Sequence, residues 1–383
     1  MQMEQQILRI PGPTPIPPSV QRAMSQPMIG HRGQEMQALL EALKGKLKPV
    51  FGTKEEVLLF TSSGTAALET AVVNAVEPGE EVIVIVSGAF GDRFTKICEE
   101  YHILVHRYDV TWGEAASPDQ LQHLLQKHQD VKAVFATFCE TSTGVLNPIK
   151  DLASVVHQYS NALFIVDGVS CIGATETQMD EWGLDIVVTG SQKAMMLPAG
   201  LAFVAASKRA WEAIEHNQQP RFYLDMRKYR NKLEENSSPF TPAVSLLLGL
   251  KQAIALMEDE GLSTIYKRHQ LMGEMTRNAF HALNIPLLTK DTDGSPTVTA
   301  VRPADFSAEA LRKVLRSEFG LTIAGGQQHL KGAIFRIGHM GYCNPADVLQ
   351  IISLMEIGLR KINKNIELGK GVRAAQNVYL NNK

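Results

Sequence analysis

The sequence predicts an α/β protein: a large domain built on a mostly parallel sheet, followed by a smaller α+β domain. From residue 18 to about 255, short β-branched runs alternate with helix-like stretches. The runs are Val57–Phe60, Val82–Val86, Val131–Phe135, Leu163–Val166, Ile186–Val188 and Leu201–Val204. Runs that are apolar at nearly every position suit strands covered on both faces, the pattern of βαβ units. After about residue 255 the texture changes, and a chain of 383 residues is too long for one small core. The expected boundaries are 18–255 and 256–383.

Ahead of them, the segment from Arg9 to Pro18 carries prolines at 11, 13, 15, 17 and 18. So many fixed φ angles and missing N–H groups exclude a helix. Residues 1–17 are therefore expected to run extended and to pack near the active site or an interface. In the C-terminal part a helix is expected over Ser263–His281 and a strand over Thr297–Val301. A second helix, Ala308–Phe319, has Ser307 as cap, Gly320 as stop, and Leu311, Val314, Leu315 and Phe319 on one face. Strands at Leu321–Ala324 and Ala333–Ile337 follow. Asn344-Pro345 then opens a last helix with Val348, Ile351, Ile352, Met355 and Leu359 on its stripe. The polar tail from Asn363 onward reads as loosely held.

Composition excludes some partners. A formal charge of -2, with 20% charged residues, gives no electrostatic reason to expect a nucleic acid or an anionic membrane. Cys98, Cys139, Cys171 and Cys343 are scattered, so reduced thiols are expected and no metal cage. The opening Met1-Gln2-Met3-Glu4 lacks the basic and apolar regions of a signal peptide. No apolar run approaches the roughly 18 residues that span a bilayer. A soluble cytoplasmic protein is the expectation.

The chemistry sits at the ends of the strands. Thr61-Ser62-Ser63-Gly64-Thr65 joins a strand to the helical Ala66–Val76, and free N–H groups at a helix start hold an anion. Asp167 closes the strand Leu163–Val166, at the edge where open α/β sheets bind ligands. Lys193 follows the strand Ile186–Val188 and is itself followed by the apolar Ala194–Leu197. Shielding of that kind lowers an amine's pKa and makes it a nucleophile toward carbonyls. Phe90 follows the strand Val82–Val86 and is placed to stack on a ring. Singly, each has an explanation at least as common: a helix cap, a loop-capping Asp, a surface Lys, an exposed or core Phe. Together they are the parts of a pyridoxal 5′-phosphate site, with a cradle for the phosphate, an acid for the pyridine nitrogen and an amine for the aldehyde.

At these residues the sequence resembles the class V (fold-type I) aminotransferases, in the alanine–glyoxylate and serine–glyoxylate (serine–pyruvate) branch. The resemblance runs from Pro11-Gly12-Pro13-Thr14 to Arg336-Ile337-Gly338. It implies that Ser63, Gly64, Thr65 and Gln192 hold the cofactor phosphate and that Phe90 and Val169 flank its ring. Asp167 matches the pyridinium partner and Lys193 the Schiff-base lysine, which also moves the substrate's α-proton. Gly12, Ser142 and Arg336 match the substrate side, with Arg336 gripping the carboxylate and Ser142 near both ligands. Many relatives have Trp at the Phe90 position and His at the Thr65 position. The implied reaction passes an amino group from alanine or serine to glyoxylate or pyruvate in two half-reactions.

The resemblance further implies a homodimer with active sites at its interface, Thr241 in Ser238–Pro242 reaching the neighbour's phosphate site. A His31-Arg32 pair resembles one in phosphoserine aminotransferases, which keeps a phosphorylated donor as the alternative. Near Arg336 only His339 offers a further cation. A cysteine desulfurase would need a Cys in the loop Ile323–His329, which has none. A hydrogenase-associated redox subunit would need clustered soft ligands, which separated cysteines do not supply.

Overall fold

The computed structural model describes residues 6–382. Residues 1–5, part of the expected N-terminal segment, and Lys383 lie outside the described residues. A seven-stranded sheet organises the first two thirds of the chain. Its strands are β1 (Val57–Phe60), β2 (Glu81–Val86), β3 (Leu104–Asp109), β4 (Ala133–Thr137), β5 (Leu163–Asp167), β6 (Ile186–Gly190) and β7 (Ala202–Ala206), in the order β1-β7-β6-β5-β4-β2-β3. Only β7 runs antiparallel to its neighbours. Ile83, Val134, Phe164, Val166 and Val187 pack into one apolar layer, while Val82, Val84, Phe135, Ile165 and Val188 pack into the other. Both faces are thus buried, as the unbroken apolar runs require.

Sequence reading missed β3, whose residues are Leu104-Val105-His106-Arg107-Tyr108-Asp109. It lies at the sheet edge and only Tyr108 is buried, so its polar composition protects an open edge from pairing with another chain. Helix α1 (Gly64–Ala75) leaves β1, and α2 (Ala89–Glu100) leaves β2. Helix α3 (Pro118–Lys127) covers the face next to β3 with Leu121 and Leu125.

In the C-terminal part, α4 (Val244–Glu260) and α5 (Leu262–Ala282) lead to a three-stranded antiparallel sheet. Its strands are β8 (Val298–Val301), β9 (Ala324–Gly325) and β10 (Phe335–Gly338), with β10 central. Helix α6 (Ala308–Phe319) has the expected ends: Ser307 accepts a bond from the Ala310 amide and Gly320 stops it at φ 63°. Helix α7 (Pro345–Lys361) starts on an Asn344–Asp347 capping box. The expected strand Leu321–Ala324 divides: Leu321–Thr322 pairs in parallel with Ile7–Leu8, and Ala324–Gly325 joins β10.

The tail is not loose. Residues Lys370–Asn381 form α8, which packs on α5 and α7 through Val372, Ala375 and Tyr379. That stripe is too sparse to stand out in a polar sequence, and Glu356 supplies what it lacks. Buried in α7, the Glu356 carboxylate accepts bonds from the amides of Gly369, Gly371 and Val372, the free donors at the start of α8. No described helix is long and apolar enough to cross a membrane.

Glu356→Ala should therefore release α8 and cost about 2–4 kcal/mol, the order expected for losing charge-assisted bonds to buried amides. Hydrogen exchange is the direct measurement. If α8 amides in the variant stay as protected as those of α5, Glu356 does not hold the tail.

Candidate active site

Parallel strands bring their carboxyl ends to one edge, and the loops that follow β1, β2, β4, β5 and β6 meet there. The loop after β6 is pinned by Ser191, whose hydroxyl donates to the Pro198 carbonyl at 2.6 Å and accepts from the Leu201 amide at 3.1 Å. It delivers Lys193 into the interior, 7% exposed, where Nζ donates to the Pro11 carbonyl at 2.5 Å. Burial lowers the pKa of this amine to about 8. The proline-rich segment crosses directly over it. Thr14 bonds by its amide to the Gln192 carbonyl and by its hydroxyl to the Lys193 carbonyl. Gly12, at φ 133°, presses so closely that a Cβ would stand 2.6 Å from Lys193 Cδ. No side chain fits there.

Asp167 ends β5 at 2% exposure, and its Oδ1 accepts the Val169 amide at 2.8 Å. Burial raises its pKa to about 7, against that single amide bond. Nearby, Ser63 precedes α1 in extended conformation without capping it by side chain. A Cβ on Gly64 would lie 3.2 Å from Val169 and 3.7 Å from Gln192 Nε2, so these residues converge. Gln192 Oε1 is buried without a hydrogen-bond partner.

On the other side, Glu140 is fully buried and ties two loops together. Its carboxylate accepts from the amides of Phe90 (3.0 Å), Gly91 (3.2 Å) and Ser142 (3.0 Å), and from the Ser142 hydroxyl (2.5 Å). Arg336 rises from β10, 5% exposed, and donates from Nε to the Gly325 carbonyl and from Nη1 to the Thr141 carbonyl. Burial lowers its pKa to about 10. Its Nη2 has no hydrogen bond among the described residues, leaving donors for an incoming anion.

This arrangement coincides with a family match. The aminotransferase class-V model matches residues 10–347. The chain belongs to the class-V aminotransferases. An L-aspartate–glyoxylate aminotransferase of Paracoccus denitrificans is 36% identical over 97% of this chain and 95% of its own length. A soluble hydrogenase small subunit of Synechococcus sp. is 42% identical over 97% and 98%. The crystal structure of a ureidoglycine–glyoxylate aminotransferase of Bacillus subtilis superposes with a TM-score of 0.93 at 30% identity, covering 99% of both chains. The protein is thus a transaminase of a family that works with pyridoxal phosphate.

The residues of this aminotransferase fit that cofactor. A buried Asp167 with one bond calls for a cationic partner, the orphaned Gln192 Oε1 calls for a donor, and α1 begins with unclaimed amides. Sequence reading missed Glu140 and Arg93. Arg93 lies 4.7 Å over the Phe90 ring and donates to the Thr65 hydroxyl at 3.1 Å, which joins two expected cofactor contacts. An acid inside the otherwise uncharged stretch from Ala133 to Gly144 was the available signal for Glu140. Arg93 sits one helical turn beyond Phe90, which sequence shows only once Phe90 is placed.

One expectation fails. His339 is fully buried, bonded to the Pro296 carbonyl and the Thr299 hydroxyl, and burial depresses its pKa to about 3. It is neutral and adds no cation beside Arg336. Thr241 and His31 line an open surface groove, and Arg32 donates to the Ser238 carbonyl at 2.9 Å. Among the described residues, no hydrogen bond joins these three to Ser63, Lys193 or Arg336.

Asp167 carries a stability signature. A carboxyl whose pKa climbs from 3.8 to about 7 on folding destabilises the fold when ionised. That penalty is absent below the lower value, grows between the two and is constant above. Cofactor-free Asp167→Asn should melt higher than cofactor-free wild type at pH 8, with the gap closing toward pH 4. A lower melting point for the variant at pH 8 would show that Asp167 serves the fold.

Proposed function

We propose that this transaminase moves the amino group of a small amino acid, alanine or serine, to a small 2-oxo acid such as glyoxylate or pyruvate. The observation that carries the reading is the single unpaired guanidinium edge of Arg336 beside the buried Lys193 amine. A planar guanidinium receives one carboxylate in a defined orientation. The other cations nearby are neutral or engaged: His339 is uncharged, Arg93 holds Thr65 and Phe90, and Arg312 pairs with Glu309. A second acidic group on the donor would find no free partner of comparable quality. The two glyoxylate aminotransferases above support the acceptor.

Ser63, Gly64, Thr65 and Gln192 would hold the cofactor phosphate, Phe90 and Val169 would flank its ring, and Ser142 would contact the cofactor and the substrate carboxylate. When bound, pyridoxal phosphate supplies an aldehyde that takes up amines and a ring that accepts electrons from the substrate's α-carbon. Asp167 would hold a positive charge on the ring nitrogen of the bound cofactor. Lys193 Nζ takes the α-proton from the donor and hands it back, as base and then acid; a pKa near neutrality suits both duties. The Pro11–Gly12 backbone excludes water and gives the amine a resting acceptor. Residues 18–255 would form the cofactor domain and 256–383 the domain that brings in Arg336.

A donor panel tests the reading. In wild type, kcat/KM for alanine or serine should exceed that for aspartate and phosphoserine by at least tenfold, and Lys193→Ala should transfer nothing. Preference for an acidic donor would overturn the substrate assignment and direct attention to Arg93.

We also infer a homodimer in which Thr241 faces the neighbouring subunit. Support comes from exposed apolar side chains: Met28, at 71%, lines the groove, and Phe222, at 72%, packs on Phe240 next to Thr241 in the chain. A cytoplasmic setting is supported by four buried, unpaired thiols. Sedimentation should give a dimer, and a fully active monomer would contradict it.

A further inference from the structure

At the end of the sheet opposite Lys193, β2 begins with Glu81. In the parallel pairing of β2 and β3, Ile83 stands opposite His106, so Glu81 and His106 are diagonal neighbours on one face. His106 Nε2 lies 2.7 Å from Glu81 Oε2. The imidazole of His128, the residue that ends α3, stacks on His106 with ring centroids 3.6 Å apart at 26°. One ligand atom from each residue falls within 4.8 Å of the other two. All three side chains are half-buried. Neither nitrogen of His128 has a hydrogen-bond partner among the described residues.

We propose that Glu81, His106 and His128 bind a divalent transition-metal ion, with zinc, nickel and copper as the class. Two imidazoles and one carboxylate suit these ions, whereas magnesium and calcium prefer all-oxygen shells. Three protein ligands leave a coordination position for water. Ligation displaces the proton shared by His106 Nε2 and Glu81, which moves to His106 Nδ1 or to the buffer. With each ligand about 2.05 Å from a tetrahedral ion, their separation opens from 2.7 Å to about 3.3 Å. The stacked rings must also swing until their lone pairs converge, which partial exposure of both permits.

The bound ion would clip the edge strand β3 to β2 and to the end of α3, elements otherwise joined through strand pairing and packing. Five residues of extended β2, Val82–Val86, separate Glu81 from the turn that leads to Phe90, a span of about 17 Å. The clip should therefore stabilise the fold without entering the reaction. Because the ion binds the folded state, saturation should raise the melting temperature.

The test uses the untagged, cofactor-loaded enzyme, freed of metal by chelation and dialysis. Calorimetric titration with zinc chloride and with nickel chloride at pH 7.5 should show one ion per chain, and magnesium chloride should show none. His106→Ala, His128→Ala and Glu81→Gln should each weaken zinc binding at least tenfold and abolish its effect on melting. Transaminase activity of the variants, expected within twofold of wild type, verifies that they are folded. If wild type binds no zinc, or the variants bind it within tenfold of wild type, no site exists here.

Discussion

Exclusion of water from the Lys193 amine is the constraint on which the rest of this structure depends. A lysine on a strand-end loop would ordinarily reach solvent and stay charged. Here the proline-rich segment is laid over it, tied by Thr14 to the backbone of Gln192 and Lys193 and offering the Pro11 carbonyl to Nζ. The same segment pairs through Ile7–Leu8 with Leu321–Thr322, and Arg9 and Gly338 share a backbone bond. One extended strap thus joins the lysine to the sheet that carries Arg336. Moving either end would readmit water.

Within that dry region four ionisable groups coexist, and their hydrogen bonds tell them apart. Glu140 is satisfied: amides and a hydroxyl surround it, and it orients the loops bearing Phe90 and Ser142. Asp167 is not satisfied, having one amide bond and a pKa raised by burial. Arg336 is half satisfied, with carbonyls on one edge and donors to spare on the other. Buried polar groups left incomplete destabilise a fold, and they mark where ligands complete it. By this reasoning Glu140 supports the scaffold, and the incomplete bonding of Asp167 and Arg336 is what supports their proposed roles.

The fold class, the main strands except β3 and the helix ends at Ser307, Gly320 and Asn344 were legible in the sequence. Each rests on local physics: two-faced strands are continuously apolar, a serine hydroxyl caps amides within its own turn, and glycine accepts a left-handed stop. Asp167, Lys193 and Gly64 could be proposed because strand-end position and residue chemistry are both readable along the chain, whereas Arg336, inside a strand, rests on the family resemblance. By contrast, β3 and α8 are polar elements whose order comes from what they pack against.

The sequence by itself determined the type of sheet and nominated the residues proposed to supply amine, acid and guanidinium. Tertiary structure decided their charge states and supports. It made His339 neutral, gave Arg93 to Phe90 and Thr65, put Glu140 beneath both loops and brought Gly12 onto Lys193 from the far end of the chain. The reason is that capping and strand patterning act between residues close in sequence. Desolvation and hydrogen-bond completion depend on every segment that folding brings near, whatever its place in the chain.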